Sequence, residues 1–265
     1  MNIFIKEMKS HRKSLIIWSI GMILMVTSGM SKYAGLSSSG QSMNDMMAQM
    51  PKAIQVVLGV GTLDLSKASG YYGILFIYLL LMGTIHAAML GATIIAKEER
   101  DKTSEFLFVK PISRIQIITA KLLAAFMNII ILNLVAFLSS IIIVGNYSKG
   151  EAVSGEIAIT MAGLFILQLV FLVVGSSIAA VKKRPKTAAS ITTGILLLTY
   201  ILSVAIDLNE TIESLKYLTP FKYFEAKNVM YGGGFEPIFI IISILIIATL
   251  SIVTYTAYQK RDLNV

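Results

Sequence analysis

Long apolar segments alternate with short polar ones along the whole chain, and this pattern predicts its secondary structure. A helix that crosses a membrane needs about 20 mostly apolar residues. Six segments meet this requirement, and none carries a Lys, Arg, Asp or Glu in its middle: residues 14–30, 71–96, 122–145, 157–181, 187–206 and 238–258. The sequence therefore predicts an all-α integral membrane protein with six transmembrane helices in a single transmembrane domain, residues 1–265.

The composition agrees with a membrane protein. The chain is 55% hydrophobic and 14% charged, with a mean hydropathy of +0.76. A soluble domain of this length would need more charge to cover its surface. There is no cysteine, which excludes a disulfide framework, a thiolate metal site and a catalytic thiol.

The distribution of lysine and arginine predicts the orientation. Four regions that would lie on one side of the membrane hold 16 of the 23 Lys and Arg residues: residues 1–13, 97–121, 182–186 and those after Tyr258. Cytoplasmic loops carry such an excess of basic residues. Both termini are therefore predicted in the cytoplasm, with residues 31–70 and 207–237 as outer loops. Since the net charge of +8 follows the topology, we expect no nucleic-acid partner.

The first 13 residues form a pattern of their own. Met1, Phe4, Ile5 and Met8 fall at helical spacing, and the basic residues lie off that face. This arrangement favours a short interfacial helix on the inner leaflet. The alternative is that these residues simply extend the first span.

The outer loops carry two further patterns. Met43, Met46, Met47 and Met50 lie on one stripe of a helix. Thioether ligands select Cu(I), but no His or Cys joins this group, so an apolar packing face is favoured. The aromatic segment 208–237 predicts one or two short interfacial helices, with a hinge at residues 232–234 before the last span.

The segment between spans two and three, residues 97–121, is the most informative part of the sequence. Its charges predict that the second span continues as a helix into the cytoplasm until Pro111 ends it. Ser113 and Gln116 have the spacing of a capping box that starts the third span. The apolar run 106–109 would place apolar surface on this charged hairpin, so we expect it either to dock a protein partner or to dip into the inner leaflet.

The chemistry of an enzyme is not visible in the sequence. No phosphate-binding G-x-x-x-x-G-K-[ST] loop occurs. The two histidines and the uncharged span centres do not provide a metal site, an acid–base pair or a proton path. We therefore predict no catalytic, cofactor-binding or metal residue. Four polar residues within spans are expected to bond between helices or to line a pathway: His86, Asn128, Asn133 and Gln168.

Residues 96–121, AKEERDKTSEFLFVKPISRIQIITAK, resemble the cytoplasmic hairpin of type-2 ABC exporter permeases, which reads roughly E-x-x-x-G-T-x-E-x-L-x-x-x-P-x-S-R and ends in Lys. The matching positions are Glu99, Thr103, Glu105, Leu107, Pro111, Ser113, Arg114 and Lys121, with Lys102 in place of the glycine. Residues 50–76 resemble the approach to the second span in the nitrous-oxide-accessory and bacitracin-resistance-type permeases.

The resemblance implies a membrane subunit, not an enzyme, that exports a hydrophobic or peptide-like substrate across a bacterial plasma membrane. ATP and Mg²⁺ would bind to a separate ABC ATPase, present in two copies, and a second permease copy or paralogue would complete the path. Alternatives are an immunity complex that clears an antibiotic peptide from the membrane, or ion or copper-related transport. The interfacial helix and the hairpin would couple to the ATPase through Glu98, Glu99, Arg100, Thr103, Glu105, Phe106, Leu107, Pro111, Ser113 and Arg114.

Overall fold

The computed structural model describes residues 3–38, 42–57, 60, 63–97, 112–182 and 185–260. Within these ranges, six helices are long and apolar enough to cross a membrane, which confirms the predicted fold class. They are α1 (Ile3–Ser38), α4 (Ala68–Ile94), α5 (Arg114–Tyr147), α6 (Ser154–Val181), α7 (Pro185–Leu208) and α9 (Pro237–Lys260). Shorter elements are α2 (Met43–Ala48), α3 (Lys52–Val57), α8 (Ala226–Tyr231) and the 3₁₀ segments Glu210–Leu218 and Pro220–Lys222.

The first helix corrects the expectation of a separate N-terminal helix. Residues 3–38 form one continuous helix of 36 residues, so the residues before Ser14 extend the first span. No Gly or Pro occurs before Gly21 to interrupt it. At 1.5 Å per residue the helix is about 54 Å long, well beyond the ~30 Å hydrocarbon core. It therefore projects from the bilayer.

The helix that was predicted to continue beyond the second span is interrupted. α4 ends at Ile94, and residues 95–96 form a turn. The hairpin residues 98–111, and with them the expected helix end at Pro111, lie outside the described residues. On the far side of the hairpin, α5 begins before its apolar segment because the capping box forms. Ser113 Oγ accepts from the Gln116 N–H at 3.2 Å, and Gln116 Oε1 accepts from the Ser113 N–H at 3.1 Å.

The centre of the bundle is the helix pair α4 and α6. About two thirds of each apolar stretch is buried, 67% in α4 and 61% in α6, against 17% in α9. Glycines allow their backbones to meet directly. A Cβ atom added at Gly91 would lie 2.2 Å from the carbonyl oxygen of Leu172, and one added at Gly175 would lie 2.4 Å from that of Ala88.

The other four long helices pack around this pair and turn apolar side chains outward. Leu24, Leu138, Leu198 and Ile252 are each more than half exposed. Side chains of this kind on the outside of a helical bundle suit contact with lipid tails.

The two ends of the bundle differ in character. The terminal end carries the start of α1, the two ends of the hairpin and the end of α9. The loop end carries residues 42–67, 148–153 and 209–236.

At the loop end, the aromatic segment 208–237 is more deeply buried in the protein than we expect of an interfacial segment. Phe221, Tyr223 and Phe224 are buried, although Tyr217 is 46% exposed. Tyr223 stacks on Phe239 of α9, with ring centroids 4.6 Å apart. Three short helical elements lie here, where one or two were predicted. Positive φ angles at residues 233 and 234 suit glycine at the entry to α9.

The methionine stripe also lies at the loop end. Met43 is buried in the core, Met47 packs against it, and Met46 is 38% exposed. Since α2 ends at Ala48, Met50 follows the helix. These positions agree with an apolar packing face.

Candidate functional site

Most of the predicted coupling residues fall within the hairpin. Glu98, Glu99, Arg100, Thr103, Glu105, Phe106, Leu107 and Pro111 lie outside the described residues. Ser113 and Arg114 are described, and so are the residues on both sides of the hairpin. The structure therefore shows how the hairpin is anchored to the bundle.

Two of the predicted coupling residues are described, and both hold the start of α5. Ser113 forms the capping box, and Arg114 Nη1 donates to the carbonyl oxygen of Gln259 at 2.8 Å. Gln259 lies in the last turn of α9, where carbonyl groups lack partners within the helix and a cation is favourable. The C-terminal end of the hairpin is thus tied to the end of the last span.

A buried carboxylate joins both ends of the hairpin to α1. Glu7 is 1% exposed, and its two oxygens lie 3.4 Å from Lys97 Nζ and 3.5 Å from Lys121 Nζ. Lys121 is fully buried and also donates to the carbonyl oxygen of Ile94 at 2.6 Å, the last residue of α4. His11 lies 3.7 Å from the same carboxylate. We call Glu7, His11, Lys97 and Lys121 the Glu7 cluster.

The Glu7 cluster depends on its charge pairing. A buried ammonium or carboxylate is tolerated only when it is paired and hydrogen-bonded. One carboxylate here pairs with two lysines, and these lysines are the first and last residues of the hairpin segment, residues 97–121. Glu7 therefore ties α1 to the residues that enter and leave the hairpin.

The sequence pattern does not predict this cluster, because its members come from segments that are far apart along the chain and lie outside the predicted spans. A signal was present in α1. Glu7 and His11 share a helix face with Leu15 and Met22, at spacings of 4, 8 and 15 residues from Glu7. Leu15 and Met22 are buried, so a carboxylate on that face required a buried partner.

The polar residues within spans occupy interfaces between helices. Asn133 Nδ2 donates to Gln168 Oε1 at 3.2 Å, which joins α5 to α6. Asn128 Nδ2 donates to the carbonyl oxygen of Ala124 at 2.7 Å. His86 lies edge-on to Trp18 of α1, with ring centroids 5.7 Å apart, and its Nδ1 has no hydrogen-bond partner among the described residues.

A partly exposed stripe runs along α4. We call it the α4 stripe; its members recur at helical spacing: Tyr71, Tyr78, Met82, Ile85, Met89 and Thr93. Both α1 and α7 pack on α4. Gly21 of α1 faces Met82, and Thr193 of α7 donates to the sulfur of Met89. Near the loop end, a cavity of about 370 Å³ opens between α1, α2 and α4, lined by Tyr71 and Tyr78 among others.

Four charged residues form a second cluster at the loop end. Lys222 Nζ lies 2.6 Å from both Asp207 Oδ1 and Glu225 Oε1. Lys227 Nζ lies 2.7 Å from Asp207 Oδ1 and 3.3 Å from Glu225 Oε2. This Asp207 cluster holds the end of α7 to the segment before α8 and to the first turn of α8. No local sequence pattern predicts it, since Asp207 is distant from the other three residues along the chain.

Comparison with known proteins identifies the family. A family model described as ABC-2 family transporter protein matches residues 1–263. No curated protein matches the chain. Because the family match covers nearly the whole chain, the chain belongs to the ABC-2 family of transporter proteins. It is a multi-pass permease subunit of an ABC transporter in the bacterial plasma membrane.

Proposed function

We propose that this ABC-2 permease forms half of an exporter, with its terminal end in the cytoplasm. A second permease, either another copy or a paralogue, completes a path for a hydrophobic or peptide-like substrate. Two copies of a separate ATPase bind ATP and Mg²⁺ and drive the cycle. The closer likeness of residues 50–76 to the nitrous-oxide-accessory and bacitracin-resistance-type permeases is part of this proposal.

The Glu7 cluster is the observation that carries the proposal. An ATPase that pushes on the hairpin must transmit that force to the spans. Through Glu7, Lys97 and Lys121, the hairpin ends are bound to α1 and to the end of α4, and Arg114 adds the end of α9. Movement of the hairpin therefore displaces several spans together, because the buried charges resist separation.

The α4 stripe supports an amphipathic cargo. Its side chains are methionine, isoleucine and tyrosine, apart from Thr93, so its polar groups are a few hydroxyls. The stripe extends from the loop end toward the terminal end along a central helix. Such a lining suits a ligand with large apolar groups and a few polar ones. A second permease facing this stripe would enclose a path between the two copies.

An antibiotic-peptide immunity complex would use the same geometry, with the cargo taken from the membrane. Two observations would distinguish this function from general export: the cargo that is bound to the complex, and the genes next to the one that encodes this chain. Copper transport gains no support from the methionine stripe, since Met43 is buried and Met47 packs against the core.

The experiment that tests the proposed function is a pull-down of the tagged chain from detergent-solubilised native membranes, followed by mass spectrometry. We expect a stoichiometric soluble protein with a phosphate-binding loop. Glu105→Lys and Arg114→Glu should still insert into the membrane but should uncouple transport from ATP hydrolysis. Lys216→Glu, a charge reversal at the loop end, is the matched control.

Two results would contradict the proposed function. In the first, the chain is recovered alone even after gentle crosslinking. In the second, both hairpin variants co-purify and transport as the unmodified protein does.

A further inference from the structure

The cavity between α1, α2 and α4 combines an apolar interior with a positive charge. Its volume of about 370 Å³ is in the range of sites that bind small ligands. Most of its walls are apolar, and they include Met25, Ile74 and Leu75. Among the described residues that line it, Lys32 alone is charged. We call this space the Lys32 cavity.

The polar groups of the Lys32 cavity are available to a ligand. Within the described ranges, the exposed ammonium of Lys32 has neither an ion-pair partner nor a hydrogen-bond partner. The hydroxyl groups of Tyr71 and Tyr78, which also line the cavity, have no hydrogen-bond partner there either. Ser28 differs, because its hydroxyl donates to the carbonyl oxygen of Met25 at 3.2 Å.

The acidic residues of the same loop do not neutralise Lys32. Residues 31–70 contain two of them, Asp45 and Asp64, and neither lines the cavity. The Asp64 carboxylate accepts from Asn44 Nδ2 at 3.0 Å and from Ser66 Oγ at 2.6 Å. The Lys32 charge therefore lacks a counter-charge among the described residues, unlike the lysines of the Asp207 cluster, which pair with two carboxylates.

The polar end of the cavity lies at the depth of a lipid headgroup. The apolar segment of α1 ends at residue 30, just before Lys32, so this ammonium lies at the edge of the hydrocarbon core. Tyr71 is near the same end of α4. Met25 and Tyr78 each lie seven residues deeper, which is about 10 Å along a helix. The cavity thus has its charge at the membrane surface and its apolar walls below.

From this arrangement we infer that the Lys32 cavity binds an anionic phospholipid of the surrounding membrane. The lipid phosphate pairs with the ammonium of Lys32 and accepts from the hydroxyl of Tyr71, and one acyl chain lies along Met25, Ile74 and Leu75. A zwitterionic lipid carries its own cation beside the phosphate, so it gains less from Lys32. The site does not rest on the proposed function, because it needs neither the ATPase nor a second permease.

The test is native mass spectrometry of the purified full chain in detergent, scored on the single-chain species. The probes are phosphatidylglycerol and phosphatidylcholine with the same acyl chains. We expect the dissociation constant of the first phosphatidylglycerol to be about fivefold lower, the factor that one exposed charge pair can provide. Lys32→Gln should make the two constants equal. Lys52→Gln is the matched control, since Lys52 is also exposed at the loop end but does not line the cavity.

A second pair of variants tests the place of the acyl chain. Met25→Trp would fill part of the cavity, so it should weaken the binding of both lipids and leave the preference for phosphatidylglycerol. Leu24→Trp is its control, because Leu24 is 60% exposed on the outside of the bundle and does not line the cavity. Equal dissociation constants for the two lipids in the unmodified protein, or an undiminished preference in Lys32→Gln, would overturn the inference.

A further arm separates a membrane lipid from a free amphiphile. Octyl phosphate carries the same anionic group on a single short chain. We expect it to displace phosphatidylglycerol only weakly, because it buries less apolar surface. Tighter binding of octyl phosphate than of phosphatidylglycerol would overturn the assignment to a membrane lipid. No ATPase takes part in these measurements, so their outcome is independent of the pull-down.

Discussion

The close approach of α4 and α6 gives a prediction in which the same substitution has opposite effects at two places. The perturbation is Gly91→Ala. The added Cβ would lie 2.2 Å from the carbonyl oxygen of Leu172 and 3.0 Å from the amide nitrogen of Ser176. Real Cβ atoms do not approach within 3.0 Å, so the two backbones must separate by at least about 0.8 Å.

The magnitude follows from the nature of the contact. Backbone atoms cannot turn away as a flexible side chain can, so the helix pair must shift as a whole. Overpacking of this kind costs about 1–3 kcal/mol. Gly194→Ala in α7 meets nothing within 4 Å. There, alanine should be neutral or should stabilise the helix by up to about 1 kcal/mol.

The assay is equilibrium unfolding of the purified protein by titration with a denaturing detergent, which gives the free energy of unfolding of each variant. Gly175→Ala, with its Cβ 2.4 Å from the carbonyl oxygen of Ala88, should behave like Gly91→Ala. The double variant should lose less free energy of unfolding than the sum of the losses in the two single variants, because one separation of the helices relieves both clashes. A Gly91→Ala protein as stable as the Gly194→Ala control would refute the reasoning.

Three further predictions concern polar groups. Glu7→Gln should lower the free energy of unfolding by about 3–5 kcal/mol and so lower the melting temperature, because the buried ammonium of Lys121 loses its counter-charge. Adding Lys121→Met should restore part of the melting temperature. No restoration would argue against a direct pair between Glu7 and Lys121. Asn133→Leu should lower the free energy of unfolding by about 0.6–2 kcal/mol. A double-mutant cycle with Gln168→Leu should show coupling between the two positions. Additive effects would mean that the hydrogen bond between them contributes nothing to stability. Because burial raises the pKa of the Glu225 carboxyl group above its ordinary value, its contribution to stability should be present at low pH and lost as the pH rises through the raised pKa. Melting temperatures from about pH 4 to pH 7 should therefore decline relative to those of Glu225→Gln, and parallel curves would contradict this.

Features that are local along the chain could be predicted from the sequence. Apolar segments of sufficient length can be stable only as membrane helices, since backbone groups in lipid need internal partners. The capping box at Ser113 and Gln116 was likewise predictable, because both residues lie within one turn. The resemblance of residues 96–121 indicated the family, which the match over residues 1–263 established.

Contacts between residues that are distant in sequence became visible only in the folded structure. Glu7 pairs with Lys121 across more than a hundred residues, and Asp207 pairs with Lys222 and Lys227 from a different segment. Hydrophobic length predicts that a helix crosses the membrane, but it does not specify the rotation of that helix about its axis or its neighbours. Packing sets both, through contacts such as that of Gly91, and packing therefore determines where buried charges find their partners.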